Sequence, residues 1–152
     1  MRIAPLPEDF LERARVRGLD DQGQPVRRLT AAGGEPCRDV LRRARPGEQL
    51  ILASFCPFEQ AGPYREFGPV FLLAGASDEP VARDERPLGQ PGYLGADYVI
   101  RAYGRSGDII EAERVSTPEG PARIAGLLER PEVAWVDARF PLMACFACRI
   151  VR

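Results

Sequence analysis

Residues 93–115 read YLGADYVIRAYGRSGDIIEAERV. Two apolar stretches, Tyr93–Tyr103 and Asp108–Val115, flank Gly104-Arg105-Ser106-Gly107. This is the best hairpin signal in the chain, because glycine supplies the positive-φ positions that a tight antiparallel turn requires. The period then changes. Ser116 or Thr117, followed by Pro118-Glu119, opens a helix whose apolar positions are Ile124, Leu127 and Leu128, and Pro131 stops it. Val133–Ala138 returns to a strand, Phe140–Met143 turns, and Cys145–Val151 is a last strand. Strands that follow one another directly predict antiparallel pairing. The strand–helix–strand run from 108 to 138 leaves room for one parallel pair with a right-handed crossover.

Upstream, Gln49–Phe55 and Phe67–Ala74 read as strongly apolar strands. The loop between them, Cys56 to Glu66, carries two prolines and two aromatic rings. Gly75–Gly92 is polar and proline-rich and predicts a mobile surface loop. Met1–Leu6 and Val26–Thr30 are short strand candidates. Pro7-Glu8-Asp9 starts a helix with Phe10, Leu11 and Ala14 on its apolar face, and Gly18 ends it. Cys37–Arg43 reads as a short helix with Val40 and Leu41 inward, closed by Pro46-Gly47. The expected fold class is therefore α+β: a mostly antiparallel mixed sheet of five to seven strands, with two or three helices packed on one face. No linker divides residues 1–152, so one domain is expected.

Composition excludes several chemistries. The chain has 152 residues and a formal net charge of −1, so no global field draws it onto nucleic acid or an anionic membrane. All 21 basic residues are arginine, and there is no histidine. That removes the commonest general base, histidine-containing zinc sites and lysine Schiff bases. No apolar run approaches the roughly 20 residues that cross a bilayer, and no secretory leader is visible. A cytoplasmic protein with reduced thiols is expected. Nothing calls for a cofactor or a metal.

Four cysteines stand at 37, 56, 145 and 148. Cys37 leads as the possible catalytic residue: at a helix start, unpaired N–H groups favour a thiolate, and Arg38 and Arg42 add positive charge. The competing reading is a small side chain packed at the helix start. Cys145-Phe146-Ala147-Cys148 spells C-x-x-C, but in a strand residues three apart point to opposite faces, which works against a disulfide or a shared metal. In the 56–66 loop, Phe58 and Tyr64 offer rigid ring surface, with Arg65 and Glu66 as a charge pair beside it. Such a loop lines a ligand pocket or folds back as core. Residues 27–45 hold six arginines against two acids, and Arg38, Arg42 and Arg43 near a helix start suit an anion.

Pro36-Cys37-Arg38, Leu41, Pro46-Gly47-Glu48, Pro57-Phe58, Pro63-Tyr64, Glu66 and Gly68-Pro69-Val70-Phe71 come in one order with tight spacing. Val133-Ala134-Trp135-Val136, Cys145-Phe146 and Arg149-Ile150 complete the set. This pattern resembles a bacterial family known only as a domain of unknown function, number twelve hundred and three. The resemblance implies a complete domain with its signature at 36–71, and it implies no activity. Val40 and Leu73 stand where members often carry Cys and His, so the resemblance lends no metal or acid–base role to those positions.

The leading expectation is a non-enzymatic domain that binds a small molecule or a protein partner through the 37–71 region. Arg38, Arg42, Phe58, Tyr64, Arg65 and Glu66 are its candidate binding residues. A homodimer could form through apolar residues on the sheet face the helices leave free. The alternative is an enzyme or redox protein using the Cys37 thiol. A third reading is an anion-binding module built on the arginine cluster.

Overall fold

A computed structural model describes all 152 residues. In chain order the elements are β1 (Arg2–Ala4), α1 (Glu8–Glu12, continued by a π-helical turn over Arg13–Arg17), β2 (Arg27–Thr30), β3 (Pro36–Cys37), β4 (Arg42–Arg43), β5 (Gln49–Phe55) and β6 (Gly68–Leu73). The second half holds α2 (Arg86–Gly89), β7 (Asp97–Tyr103), β8 (Ile109–Ser116), α3 (Gly120–Glu129), β9 (Trp135–Arg139) and β10 (Phe146–Val151). No helix is long and apolar enough to cross a membrane.

The α+β, mostly antiparallel character holds, but the ten strands divide into two five-stranded sheets. The first runs β1-β10-β9-β7-β8 and the second β2-β5-β6-β3-β4. The β7–β8 hairpin forms as its sequence dictates, with Asp97 opposite Ser116 and Gly107 at φ 86° in the turn. From the edge strand β8, α3 crosses over to β9. Both β8 and β9 pair antiparallel with β7, which lies between them. The parallel pair expected there is therefore not hydrogen-bonded. The parallel contact that does form joins β3 to β6, Cys37 opposite Phe71.

The apolar face of α3 follows its sequence spacing. Ile124, Leu127 and Leu128 are buried against Ile100, Ala102, Val136 and Ala138 of the first sheet. Full burial of each such side chain contributes about 1.5–3 kcal/mol. The helix starts so close to Tyr98 that a Cβ on Gly120 would lie 1.8 Å from the phenol oxygen. The helices do not share one face. α1 packs Phe10 and Ala14 on the second sheet, against Ile51, Phe55, Val70 and Leu72.

Two local expectations fail. Cys37–Arg43 is not a helix: Cys37 pairs with Arg42 across a tight hairpin, and Leu41 in its turn has φ 51°. A seven-residue helix is weak alone. The edge of β6 offers better partners, and the Arg38 N–H donates to the Phe71 carbonyl at 2.9 Å. Val40 and Leu41 still point inward, as their apolarity requires. Nor is Gly75–Gly92 a free loop: it contains α2, buries Leu88, and its Arg83 carbonyl accepts the Ile3 N–H at 2.7 Å.

The face of the first sheet opposite α3 is ionic. Arg101, Asp137 and Arg149 stand in register across β7, β9 and β10. The 57–66 loop lies over this face, and Phe58 packs edge-on against Tyr103 (5.3 Å) and Trp135 (6.4 Å). This face of the first sheet thus carries a row of charges and the stacked rings of Tyr103 and Trp135 under a loop, not an open apolar surface.

Candidate functional site

The two sheets meet where β10 passes the end of β5, and a cleft of about 530 Å³ opens there. The segment before α1, α1 itself, the start of the 56–67 loop and β10 form its walls. Leu6, Phe10, Phe55, Phe67 and Phe146 make its apolar surface. The rings of Phe10 and Phe55 lie 4.7 Å apart and those of Phe55 and Phe146 5.4 Å apart, so this surface is continuous.

Four guanidinium groups line the same cleft: Arg13, Arg38, Arg65 and Arg149. Arg13 is paired with Asp21 and lies 3.6 Å from Asp9. Arg149 binds Asp137 through two hydrogen bonds of 2.8 and 2.9 Å and lies 4.5 Å from the Trp135 ring. Asp137 is fully buried. Burial raises its pKa, and the Arg149 contact works against that rise. Arg65, exposed, has no carboxylate partner and lies 5.6 Å from the Phe67 ring.

Arg38 differs from all of these. It is only 4 % exposed, and its Nε and Nη1 donate to the carbonyls of Phe146 (2.9 Å) and Pro36 (2.5 Å). No carboxylate lies within salt-bridge distance, and Nη2 makes no hydrogen bond within the protein. Burial pushes its pKa down, against a group that stays protonated in proteins. Five charged side chains are buried in this molecule: Asp20, Arg38, Asp39, Asp137 and Arg139. Asp39 pairs with Arg15, Asp137 with Arg149 and Arg139 with Glu66. Asp20 accepts the N–H groups of Gln22, Gln24 and Ser54. Asp20 and Arg38 are thus the two buried charges without a counter-charge; three N–H groups meet the Asp20 carboxylate, and of the two only Arg38 lines the cleft.

The structure separates the residues singled out by sequence. Cys37 is fully buried, one residue from Arg38 but lining neither this cleft nor the smaller one beside it. Burial pushes its thiol up to about 12. With no helix at 37–43, the premise of a dipole-activated thiol and of a helix-start anion site falls. Arg42 faces away from the cleft, held by Glu48 and Glu79 at 2.7 Å each. Arg43 donates to the Gly34 carbonyl. Phe58 is buried and lines both clefts, whereas Tyr64 is exposed and lines neither. Glu66 pairs with Arg139 and Arg101, not with its neighbour Arg65.

Other groups were not foreseen. Asp137 and Arg149 sit in apolar runs, where a charge between hydrophobic neighbours was the available signal. Cys56 lines the cleft, but its position after β5 resembles any loop start. Cys145 and Cys148 were expected on opposite faces. The pairing of β10 shifts between Phe146 and Cys148, and both thiols pack against the first sheet's core. All four cysteines are free, and no three acidic, cysteine or histidine side chains converge as metal ligands.

Residues 34–152 match the model of the family described as "Protein of unknown function (DUF1203)", and the chain belongs to that family. The matched region contains the 36–71 and 133–150 motifs and every residue of the cleft from Arg38 onward. No curated protein and no solved structure matches the chain.

Proposed function

We propose that this protein is a non-enzymatic binding domain for a small organic anion, an acid group on an apolar body, held in the cleft between the two sheets. The observation that carries this reading is Arg38, a buried guanidinium without a counter-charge on the wall of the cleft between the sheets. Leaving a charge buried and unpaired is costly, and an incoming carboxylate or phosphate would offset that cost with a charge-assisted, two-pronged contact. The continuous phenylalanine surface suits the apolar part of such a ligand. Arg38 belongs to the 36–71 signature, as do the cleft residues Phe55, Cys56, Phe58, Arg65 and Phe67. Four unpaired thiols suit a cytoplasmic location. Leu142 and Met143, 94 % and 78 % exposed on the β9–β10 turn, are the feature that favours a protein partner instead, and they line neither cleft.

Thermal unfolding in a series of carboxylates and phosphates tests the reading. Ligand at 100 times its dissociation constant adds about 2.7 kcal/mol of stability, which shows as a saturable rise in Tm. The rise is expected in the parent and absent in Arg38→Met. An equal rise in both proteins would remove Arg38 from the site, and no rise with any anion would sink the reading.

A further inference from the structure

The cleft contains an accessible thiol, and it is Cys56 rather than Cys37. Cys56 follows β5, is part-exposed, and lines the same cleft as Arg38. Its N–H donates to Asp21 at 2.8 Å, which fixes the backbone. Its sulfur accepts the Arg65 Nε–H at 3.4 Å, and the thiol donates to the Phe58 carbonyl oxygen at 3.5 Å. The nucleophilic form of cysteine is the thiolate, and reactive cysteines sit in partly exposed, electropositive surroundings, whereas buried ones are inert. Cys37 and Cys148 are buried, and burial raises the pKa of each. Cys145 is part-exposed, but it packs against the first sheet's core and lies outside this cleft.

A thiol alone would say nothing of a ligand. Arg38 supplies the independent part: it lines the same cleft, and its buried charge without a carboxylate favours an anionic group on a ligand bound there. Electrophiles that match both features carry a carboxylate and a bond that a thiolate can break.

We infer that Cys56 captures an anionic disulfide, forming a mixed disulfide while Arg38 holds the carboxylate. The Cys56 thiolate, its proton given to water, attacks one sulfur of the bound disulfide. The new bond joins Cys56 to that sulfur, and the old sulfur–sulfur bond breaks. The second half leaves as a thiolate and takes a proton from water. The Cys56 sulfur is oxidised from the thiol to the disulfide level, and the released sulfur is reduced from the disulfide to the thiol level, so no outside oxidant is needed. The inference rests on the anion site proposed above and adds a residue and a reaction class to it.

The folded full-length protein is incubated with glutathione disulfide, which is anionic, and separately with cystamine, which is cationic. Adducts are followed by intact mass and located by peptide mapping. One adduct at Cys56 is expected, forming with the anionic disulfide faster by about tenfold or more, the size of one charge-assisted hydrogen bond. Arg38→Met abolishes that preference. Arg65→Gln, at an exposed position where folding is not at stake, slows the reaction. Cys56→Ser forms no adduct at that site. An adduct at Cys145 with Cys56 untouched, or equal rates for the two disulfides, overturns the inference. If carboxylates stabilise both the parent and Cys56→Ser while Cys56 stays inert, the covalent step fails alone. If they stabilise neither, the anion site itself has failed.

Discussion

Asp137 and Arg38 are both buried charges, and the molecule treats them in opposite ways. Asp137 lies on the middle strand of three in the first sheet, with Arg149 opposite it in register and bonded to both carboxylate oxygens. Arg38 leaves the β3–β4 hairpin and reaches a β10 carbonyl across the junction between the sheets; its partners are two carbonyl oxygens and the face of the Phe140 ring at 5.0 Å, none of them a carboxylate. A carbonyl satisfies a donor but does not neutralise a charge. Four residues on, Arg42 has two carboxylates at 2.7 Å, so the sequence does not lack acids to place nearby. Compensated charges mark where the fold holds itself together. On the reading proposed above, the guanidinium left without a counter-charge is where an anionic ligand would bind.

The largest effect tests the compensated half of this comparison. Arg149→Met leaves Asp137 buried without its bidentate partner, and breaking a buried pair on one side costs about 3–5 kcal/mol. The urea midpoint should fall accordingly. The double variant Arg149→Met with Asp137→Asn should recover much of the loss, since no charge is then stranded. A loss below about 1 kcal/mol in the single variant would mean that Asp137 is not held as a buried charge, and the contrast with Arg38 would disappear.

A smaller effect tests whether Arg38 has a hidden partner. Its own hairpin holds two groups that could carry a negative charge: Asp39, which is taken up by Arg15 at 2.7 Å, and the Cys37 thiol. The structure argues against a Cys37 thiolate: burial raises this thiol from 9.0 to about 12, even with Arg42 and Arg38 nearby. The folded protein then keeps a proton that the unfolded chain releases. This contribution to stability is intact below about pH 9 and is lost as pH rises from there towards 12. At pH 10 one such group costs about 1 kcal/mol, so Cys37→Ala should flatten the alkaline limb of the stability curve by that amount. Iodoacetamide at pH 8 should label Cys56 and leave Cys37 untouched in the folded protein. Rapid labelling of Cys37, or an unchanged limb, would make Cys37 a thiolate and give Arg38 its counter-ion.

The parts that sequence made legible are those governed by local periodicity. The β7–β8 hairpin, α3 with Ile124, Leu127 and Leu128 inward, and the strands β5 and β6 all follow from spacing and turn residues. The division into two sheets did not follow, because pairing partners are long-range. β1 joins β10 from opposite ends of the chain, and β3 lies beside β6 although β4 and β5 come between them in the sequence. The same limit hid the site. Arg38 was picked out as one of a cluster on a helix that does not exist, and the structure singles it out on a different ground. Its meaning lies in the absence of a carboxylate near it, which no reading of neighbours in sequence can establish. Cys56 and Arg65 are nine positions apart and meet only because the 56–66 loop folds back over the sheet.

The smallest expected change in stability is the most informative. Arg38→Met gives up two hydrogen bonds to carbonyls, each worth about 1 kcal/mol net, and leaves those acceptors to find water in the cleft. Against that loss, it removes an unpaired guanidinium from a buried site and puts a flexible apolar chain of similar reach in its place. The two terms are of similar size and opposite sign, so the variant should unfold within about 1 kcal/mol of the parent. Urea denaturation without added anion measures this directly. A fold retained through loss of the residue that the ligand needs is the signature of a site kept for binding at the expense of stability. A loss as large as that of Arg149→Met would show instead that Arg38 clamps the two sheets together, and its missing counter-charge would no longer argue for a ligand.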